Sequence, residues 1–443
     1  MTVLGRKERI PPFPHPKDYA YRCRQFFRAR SLPEFAAMAR FQMVRETWLA
    51  WRHKTGTARE LLIDPTNACN IRCKGCWANE YDARGSLSYE DLDRVCTEAR
   101  RLGTLDILLT GGEPLLRKDD ILRLAARHRK LFFGAFTNGT LVDDAFAVSA
   151  ADLGNLSVFI SIEGFREDND FRRGEGTFDK AVEAMRRLRE QGVAFGFSLC
   201  YHKKNWRAVT DDRFLDFLRE QGAWLGWAFG YRPVGRSADM GLCLSAAERE
   251  EARARIDDYC RRRDFTVIDL FNSGHKAYGC VAAGSGYIHI NAAGDVEPCA
   301  FCHYSDANIH DMPLADALRS PFFRAFRSAQ PFSENPLRPC PMVDVPDAIV
   351  ELCKRTGARS THAADPESAQ AFADKIRPLA DEWAKWADRE RTRLPAADLR
   401  RFRFLRGYLA WKSRLAGDRP GGHEGSDATD VVREVEDDAE ATP

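Results

Sequence analysis

The stretch ELLIDPTNACNIRCKGCW, residues 60–77, joins a short apolar run to a loop that holds three cysteines. A nearly continuous apolar run of this length is typical of a strand buried on both faces of a parallel sheet. The same pattern recurs along the chain, and helical patterns separate the runs. The six predicted strands are residues 60–65, 105–110, 131–137, 156–162, 193–201 and 223–231. The sequence therefore predicts an α/β fold with a parallel sheet, either open or rolled into a barrel.

Each predicted strand runs into a Gly-rich or polar cluster at its C-terminal end. The clusters are, in order, TNACNIRCKGCW, GGEP, NGT, EGF, HKKN and RPVG. Active sites of parallel α/β folds lie at these strand ends. We therefore expect the six clusters to surround one common mouth.

The first cluster carries Cys69, Cys73 and Cys76. The chain has 13 cysteines in 443 residues, and this odd number makes a disulfide framework a poor interpretation. Clustered thiols instead indicate metal or iron–sulfur ligation in a reducing compartment. Zinc takes four ligands, or three plus water, and a ferredoxin-type cluster takes four cysteines. Three close cysteines favour a cubane with one iron left open, and a zinc knuckle that borrows a distant ligand is the alternative.

The second cluster is Gly111-Gly112-Glu113-Pro114. Paired glycines let backbone N–H groups approach a ligand closely, and Glu113 offers a carboxylate to a cationic group. Taken alone, the four residues fit an ordinary strand-to-helix turn better than a binding site.

Together, the two clusters resemble the radical S-adenosylmethionine (SAM) superfamily, over about residues 60–235. The cysteine spacing matches that family's cluster loop, and LLTGGEP matches the segment that contacts the methionine ammonium of SAM. Phe136–Gly139 and Ser161–Gly164 resemble its segments after the third and fourth strands. One departure is Gly75, where the family often has an aromatic residue. Trp77 follows the third cysteine instead, and lies either near the cofactors or in the ordinary core.

The resemblance implies a partial (β/α)6 TIM-type barrel, a C-terminal iron–sulfur extension and flanking helices. Cys69, Cys73 and Cys76 would bind three irons of a [4Fe–4S] cluster, and the methionine part of SAM would bind the fourth. The implied SAM contacts are Gly111, Gly112, Glu113, Pro114, Asn138, Ser161, Glu163 and Arg232. Arg232 fits a solvated strand-end arginine equally well, and His202 is expected at the surface. Cleavage of SAM would give a 5′-deoxyadenosyl radical, with an electron donor such as flavodoxin or ferredoxin. No catalytic residue is indicated.

A third group of cysteines surrounds a predicted hairpin in GYIHINAAGDVEPCAFC, residues 286–302. This arrangement resembles the opening of the SPASM and twitch extensions, which hold auxiliary [4Fe–4S] clusters. Five cysteines compete for the four places of one such cluster. The favoured ligands are Cys280, Cys299, Cys302 and Cys340. Cys353 lies in a predicted helix and fits packing, His303 could replace one thiol, and a structural zinc is the alternative.

Both ends of the chain differ from its middle. Residues 1–56 are strongly basic with an apolar stripe at helical spacing, and residues 399–414 carry six Lys or Arg and no acid. Basic amphipathic helices can bind anionic membranes, although packing of both helices on the barrel is the simpler interpretation. Residues 418–443 hold nine acids against two arginines, which predicts disorder.

These patterns predict five parts of the chain: a basic helical extension (1–56), the barrel (57–272), the auxiliary-cluster domain (273–356), C-terminal helices (357–417) and the acidic tail (418–443). The net charge of +2 speaks against nucleic-acid binding. No apolar run reaches the 18 residues that a membrane span needs, and the N-terminus lacks an apolar signal core. We therefore expect a cytoplasmic enzyme, peripheral to the membrane if the basic helices bind lipid.

Three alternatives remain for function. Within the enzyme class, the substrate is a peptide or protein, or else a lipid or another small molecule. Outside that class, the chain is a zinc-binding interaction protein or an electron carrier with two clusters. The carrier would need no GGEP, TNG and SIEG segments at successive strand ends.

Overall fold

The structure is a computed structural model that describes residues 32–78, 85–235, 238–272, 279–362 and 366–418. Side chains are described from residue 43 onward, apart from that of Arg401. The first 31 residues of the predicted basic extension and almost all of the predicted acidic tail lie outside these ranges. Within the described part of the chain, no helix is long and apolar enough to cross a membrane.

A nine-stranded sheet, curled into a partial barrel, forms the centre of the molecule, with the strand order β7-β6-β5-β4-β3-β2-β1-β8-β9. Along this order, each neighbouring pair from β7–β6 to β1–β8 is parallel, and the last pair, β8–β9, is antiparallel. The strands are β1 (Glu60–Ile63), β2 (Asp106–Leu109), β3 (Phe132–Thr137), β4 (Leu156–Ser161), β5 (Phe195–Tyr201), β6 (Gly226–Gly230), β7 (Val267–Asp269), β8 (Tyr287–Ile290) and β9 (Val296–Glu297). A separate pair is formed by β10 (Tyr304–Ser305) and β11 (Arg359–Ser360). All six predicted strands are confirmed, and the barrel prediction with them.

Helices connect the strands and cover the outer face of the sheet. They are α1 (Leu32–His53), α2 (Tyr89–Arg101), α3 (Lys118–Arg127), α4 (Asp144–Leu153), α5 (Arg166–Arg173), α6 (Thr177–Glu190), α7 (Trp206–Val209), α8 (Asp212–Glu220), α9 (Ala246–Arg263), α10 (Leu314–Ala317), α11 (Pro321–Ser328), α12 (Pro346–Thr356), α13 (Ala369–Arg391) and α14 (Ala396–Leu415). The capping box predicted at Ser88 and Asp91 is present at the start of α2. It satisfies amide groups that a helix N-terminus otherwise leaves unbonded.

Alternate residues of the strands separate an outer core from an inner one. In β2, Ile107 and Leu109 belong to the large core beneath the helices, whereas Leu108 faces the interior of the barrel with Phe159. This follows from the two-residue period of a strand. Phe136 stacks on Phe159 with their ring centroids 5.1 Å apart, so aromatic rings fill the inner side of the barrel. Polar strand-end residues are thereby left facing the open mouth.

The predicted hairpin is present, and it extends the barrel sheet itself. Its first strand, β8, pairs with β1 in the register Ile63↔Ile290, and β9 folds back onto β8. The completely buried His289 lies between two carboxylates. Its Nε2 is 3.0 Å from Oδ1 of Asp64, and its Nδ1 is 2.6 Å from Oε2 of Glu297. This ionic chain joins the strand before the first cysteine loop to the strand before Cys299.

The terminal helices pack against each other. The Tyr408 hydroxyl of α14 donates a hydrogen bond to the Met43 carbonyl of α1, at 3.0 Å. The Lys412 ammonium of α14 lies 2.8 Å from the Glu46 carboxylate. Farther along, the buried Arg327 of α11 holds Asp418, just beyond α14, at 2.7 Å. The two basic ends therefore form one helical pair beside the domain that contains the hairpin.

Removal of the imidazolium from the His289 chain should destabilise the fold. Burial disfavours protonation of His289, but Asp64 and Glu297 outweigh it and raise its pKa from 6.5 to about 10. His289→Gln leaves two buried carboxylates without their cation, so the free energy of unfolding should fall by roughly 3–5 kcal/mol at pH 7. Urea unfolding of the reduced protein measures this loss.

The row of ionic groups Asp64–His289–Glu297 also predicts a pH dependence of stability. A folded-state pKa above the unfolded value gives stability that is complete below pH 6.5 and declines as the pH rises toward about 10. The native protein should show this decline, and His289→Gln should lack most of it. His310→Gln, at a half-exposed histidine, serves as the control. Equal pH slopes for the native protein and His289→Gln would contradict the assignment.

Candidate functional site

One cleft lies at the C-terminal ends of the parallel strands and contains about 1050 Å³ of space that is unfilled by protein atoms and open to solvent. It brings together most of the residues that the sequence predicts as SAM or cluster ligands. Those on its wall are Cys69, Cys73, Cys76, Gly111, Gly112, Glu113, Asn138, Ser161, Glu163 and Arg232. Pro114 is buried just behind them, as the first residue of a short 3-10 helix.

The three cysteines are half-buried, free of disulfides and on the same wall of the cleft. Burial raises the pKa of Cys69 to about 12, and also raises that of Cys73. Arg173 opposes the shift at Cys73, because its Nη1 lies 3.9 Å from the sulfur. Cys69 and Cys73 therefore stay protonated until a cation binds, and binding would release their protons. Three thiols beside an open space and a guanidinium suit a cluster with net negative charge.

The GGEP turn is bonded directly to the cysteine loop. Gly112 N–H donates to the Thr66 carbonyl at 3.0 Å, and Glu113 N–H donates to the Ala68 carbonyl at 2.8 Å. A Cβ on Gly112 would lie 2.1 Å from the Ala68 oxygen, which no side chain tolerates. The glycines thus serve close approach, as expected, but the Gly112 amide is bonded to the chain's own loop.

Glu113 is completely buried and linked to the next strand end. Its Oε1 accepts from the Thr137 hydroxyl at 2.7 Å, and its Oε2 accepts from Asn138 N–H at 2.8 Å. Burial raises the pKa of Glu113, and these hydrogen bonds oppose the shift. The Asn138 amide in turn donates to Asn70 Oδ1 at 2.8 Å, so the TNG turn is tied to the cysteine loop. A carboxylate fixed in this way at the cleft wall can accept a ligand ammonium.

The end of the fourth strand contributes the Ser161 hydroxyl and the Glu163 carboxylate, which differ in how many hydrogen-bond partners they have. The Ser161 hydroxyl lies 2.9 Å from that of Ser198 on β5, and both face the cleft. Glu163 is fully engaged: Arg172, Arg173 and Cys200 N–H all donate to its two oxygens, at 2.6 to 3.0 Å. Glu163 therefore holds the two arginines beside Cys73, and its predicted contact with SAM stays a prediction.

Tyr231 explains the glycine before the third cysteine. Gly75 has φ +62°, and a Cβ there would lie 2.6 Å from the Tyr231 ring. The aromatic residue that the family often places at this position is thus excluded by a ring from the end of β6. Next to it, Arg232 lies over the Phe271 ring at 4.1 Å and lines the cleft. Burial lowers its pKa.

The expectation for His202 was wrong. Its side chain is completely buried, and its Nδ1 accepts a hydrogen bond from Lys204 N–H at 3.2 Å. Burial lowers its pKa to about 4, so the ring is neutral. The polar segment HKKN, residues 202–205, gives no indication that the side chain of its first residue, His202, points into the interior.

A second group of thiols lies around the hairpin. Burial raises the pKa of Cys280, and the neighbouring Cys340 and Cys299 thiols raise it further. The Tyr287 hydroxyl donates to the Cys299 sulfur at 2.5 Å, and Phe301 N–H donates to it at 3.4 Å. Burial raises the pKa of Cys302, and the neighbouring Cys299 and Cys353 thiols raise it further. These thiols act electrostatically on one another, which places them in one buried neighbourhood with Cys353 of α12. Within the described residues, no group of three or more such side chains is gathered closely enough to hold a single metal ion.

Trp77 lies next to both groups of cysteines. It follows Cys76 directly, and its ring lies 5.4 Å from that of Phe301, which sits between Cys299 and Cys302. It also packs against His289 and His303, at 5.9 and 6.1 Å between ring centroids. Both Trp77 and Phe301 line the cleft. Trp77, for which the sequence allowed either a place near the cofactors or one in the core, therefore packs between the two cysteine regions.

Several residues of the cleft wall were not predicted from the sequence. They are Arg172, Arg173, Ser198, Cys200, Phe229 and Phe301. Ser198 had a signal, because it is a polar residue in an apolar strand that pairs with Ser161. Arg172 and Arg173 lie among other charged residues of α5, so no sequence signal distinguished them. The half-buried side chain of Cys200 also lines the cleft.

Comparison with protein families agrees with this geometry. The radical SAM superfamily matches residues 63–215, and the SPASM iron–sulfur cluster-binding domain matches residues 280–342. In chain order, a stretch similar to a radical SAM domain is thus followed by a stretch similar to a SPASM domain. The radical SAM match spans the first three cysteines, GGEP, TNG and SIEG. The SPASM match begins at Cys280 and includes Cys299, Cys302 and Cys340.

Curated relatives of known name align with part of this chain. The Fe-coproporphyrin III synthase of Methanosarcina barkeri is 34% identical over 35% of this chain, which spans only 40% of that protein. The AdoMet-dependent heme synthase of Oleidesulfovibrio alaskensis is 25% identical over 62% of this chain and 78% of its own length. The PqqA peptide cyclase of Granulibacter bethesdensis is 27% identical over 63% of this chain and 79% of its own.

A solved structure is similar in fold to about two thirds of this chain. Streptococcus suis SuiB bound to the precursor peptide SuiA is 20% identical, with a TM-score of 0.52, over 65% of this chain and 70% of that one. The similarity supports the partial barrel with its extension. Radical SAM and SPASM domains bind SAM and iron–sulfur clusters, and the two thiol groups fit those cofactors.

Loss of the Glu113 charge should weaken SAM binding to the radical SAM domain. A hydrogen bond to a charged group contributes roughly 1.5–3 kcal/mol, so Glu113→Gln should raise the dissociation constant for SAM about 10- to 150-fold. Equilibrium dialysis of anaerobically reconstituted protein measures it. Glu167→Gln, at an exposed position on α5, is the matched control and should bind normally. Unchanged SAM affinity in Glu113→Gln would remove this residue from the site.

Proposed function

We propose that the protein is a radical SAM enzyme that abstracts hydrogen from its substrate and holds one auxiliary [4Fe–4S] cluster. The observation that carries this proposal is the single cleft where Cys69, Cys73 and Cys76 meet the buried carboxylate of Glu113. When bound, the cluster and SAM supply reductive cleavage to a 5′-deoxyadenosyl radical. A reduced flavodoxin or ferredoxin is the proposed electron donor.

The chain's own residues fix the geometry of that chemistry. Cys69, Cys73 and Cys76 would hold the cluster, and Arg173 places a positive charge 3.9 Å from the Cys73 sulfur. Glu113 would orient the SAM ammonium, since three protein donors already fix its carboxylate. Leu62, Phe136, Phe229 and Phe301 line the cleft with apolar surface, which limits the access of water to a reactive radical.

The second thiol group is proposed to bind the auxiliary cluster through Cys280, Cys299, Cys302 and Cys340. Support comes from their shared burial and from the extent of the SPASM match. Cys353 is buried in the packed face of α12, which favours a structural role. Arg232 lies between the cleft and this group, because its charge acts on the Cys340 thiol and its side chain lines the cleft.

A peptide is the proposed substrate. Support comes from relatives named for peptides, PqqA peptide cyclase and the sporulation killing factor maturation protein SkfB of Bacillus subtilis. A tetrapyrrole is the second candidate, because two other relatives are named for coproporphyrin and heme synthesis. The aromatic rings Phe136, Phe229 and Phe301 offer flat surfaces to either substrate.

Iron content and SAM cleavage test the core of the proposal. Reconstituted native protein should contain about eight irons per chain and release 5′-deoxyadenosine with dithionite. Cys69→Ala/Cys73→Ala/Cys76→Ala should keep about four irons and lose all SAM cleavage. The corresponding fourfold variant of the second group should also keep about four irons but still bind SAM.

Cys353→Ala is the matched control, because this cysteine adjoins the second group without being a proposed ligand. It should retain the full iron content. Zinc in place of iron, with no SAM cleavage, would overturn the proposal in favour of a zinc-binding interaction protein. Loss of four irons in Cys353→Ala would instead reassign one auxiliary ligand.

Deuterium transfer distinguishes the two substrate classes. A deuterated candidate substrate should pass deuterium into 5′-deoxyadenosine when the native enzyme cleaves SAM. We expect transfer from peptides encoded near the gene and none from a deuterated coproporphyrin. The reverse result would replace the peptide with a tetrapyrrole and leave the SAM chemistry in place.

A further inference from the structure

Five large apolar side chains on the α1–α14 pair are at least half exposed. On α1 they are Val44, Trp48 and Trp51, with 69%, 51% and 54% exposure; on α14 they are Phe404 and Trp411, with 67% and 50%. Elsewhere in the described chain, large exposed apolar residues, such as Val148 and Met240, occur singly on different elements. Scattered apolar residues are normal at a surface, whereas a group of aromatic rings marks a binding face.

The five side chains form two stripes beside one seam. Val44, Trp48 and Trp51 follow the i, i+4, i+7 spacing of one helical face. Phe404 and Trp411 are seven residues apart, and Tyr408 lies between them on the same face of α14. Because the Tyr408 hydroxyl bonds to Met43 and lies 3.3 Å from the Thr47 hydroxyl of α1, the stripe on α14 borders α1. We refer to these five residues as the aromatic face.

Cations surround the aromatic face. Arg400, Arg403 and Arg414 are exposed on α14, and Arg52 and Lys54 are exposed at the end of α1. Arg52 lies 5.3 Å from the Trp48 ring centroid, and Lys54 lies 5.6 Å from that of Trp51. Glu46, the acid in the described side chains of α1, is neutralised by Lys412. The surface therefore pairs indole rings with positive charges and holds its nearby acid in an internal ion pair.

We propose that the aromatic face docks on an anionic lipid bilayer. Tryptophan rings prefer the boundary between lipid headgroups and acyl chains, and arginine and lysine reach from there to lipid phosphates. Each cation near an anionic leaflet adds attraction that salt weakens.

Charge also argues against a second copy of the chain as the occupant. In a twofold dimer, each copy presents the same patch to its partner. Arg400, Arg403 and Arg414 would then face an equally positive surface. The acidic residues 419–443 of this chain have the right charge, and the experiment below separates them from lipid.

Vesicle flotation of the reconstituted full chain tests the proposal. Vesicles of phosphatidylcholine with 30% phosphatidylglycerol should carry the protein upward, and pure phosphatidylcholine vesicles should bind at least tenfold less. One variant removes the rings of the aromatic face, Trp48→Ser/Trp51→Ser/Phe404→Ser/Trp411→Ser, and a second removes the cations beside it, Arg400→Gln/Arg403→Gln/Arg414→Gln. Each should lower binding at least tenfold, and raised salt should weaken the binding of the native chain.

A control changes one exposed apolar residue and two exposed arginines elsewhere, Val148→Ser with Arg213→Gln and Arg261→Gln, and should bind as the native chain does. Circular dichroism and SAM binding confirm that every variant is folded. No flotation of the native chain, or an equal loss in the control, overturns the proposal. Flotation that appears only after residues 419–443 are removed would assign the face to the acidic segment. A dimer that the aromatic variant dissociates, without lipid binding, would assign it to a second copy.

Discussion

Strand β1 is paired on both edges, and this pairing fixes the site. On one side it pairs with β2, whose end carries GGEP; on the other it pairs with β8, which begins the hairpin of the SPASM domain. The cysteine loop that leaves β1 must therefore lie between these two neighbours. The Asp64–His289–Glu297 chain strengthens the second pairing at the point where the loop begins. One strand thus sets the positions of both proposed cofactor sites.

A consequence of this arrangement is that the two cysteine regions share a wall. Trp77 follows Cys76 and packs against Phe301, which lies between two cysteines of the second group. A shift of either loop would move a ring that the other loop contacts. Because packed interiors resist such shifts, each loop supports the geometry of the other. The cleft between them is accordingly bounded by residues of both domains.

Much of this architecture could be predicted from local patterns. The six strands were recognisable because strands buried on both faces are nearly continuous apolar runs. The three-residue β7 is too short for such a pattern, and the pairing of β8 with β1 joins residues more than 200 positions apart. Nothing local indicates such a pairing. The terminal helices were expected on the barrel, and α1 does contact it, since Arg45 Nη2 donates to the Gly103 carbonyl at 2.6 Å and Leu49 and Ala50 are buried. The sequence did not predict that the two helices also pack on each other and leave their aromatic stripes exposed.

The cleft itself shows where residue type alone misleads. Glu163 occupies a motif position, yet its carboxylate is saturated by Arg172, Arg173 and a backbone amide. These contacts give it a different task from that of Glu113, whose donors are neutral. A buried carboxylate paired with two guanidiniums carries one net positive charge into the cleft, close to Cys73. Thiolates that bind a cluster accumulate negative charge, and a fixed cation nearby favours that state without occupying a ligand position. The structure thus places Glu163 against two arginines beside Cys73, an arrangement that the spacing of the motif does not predict.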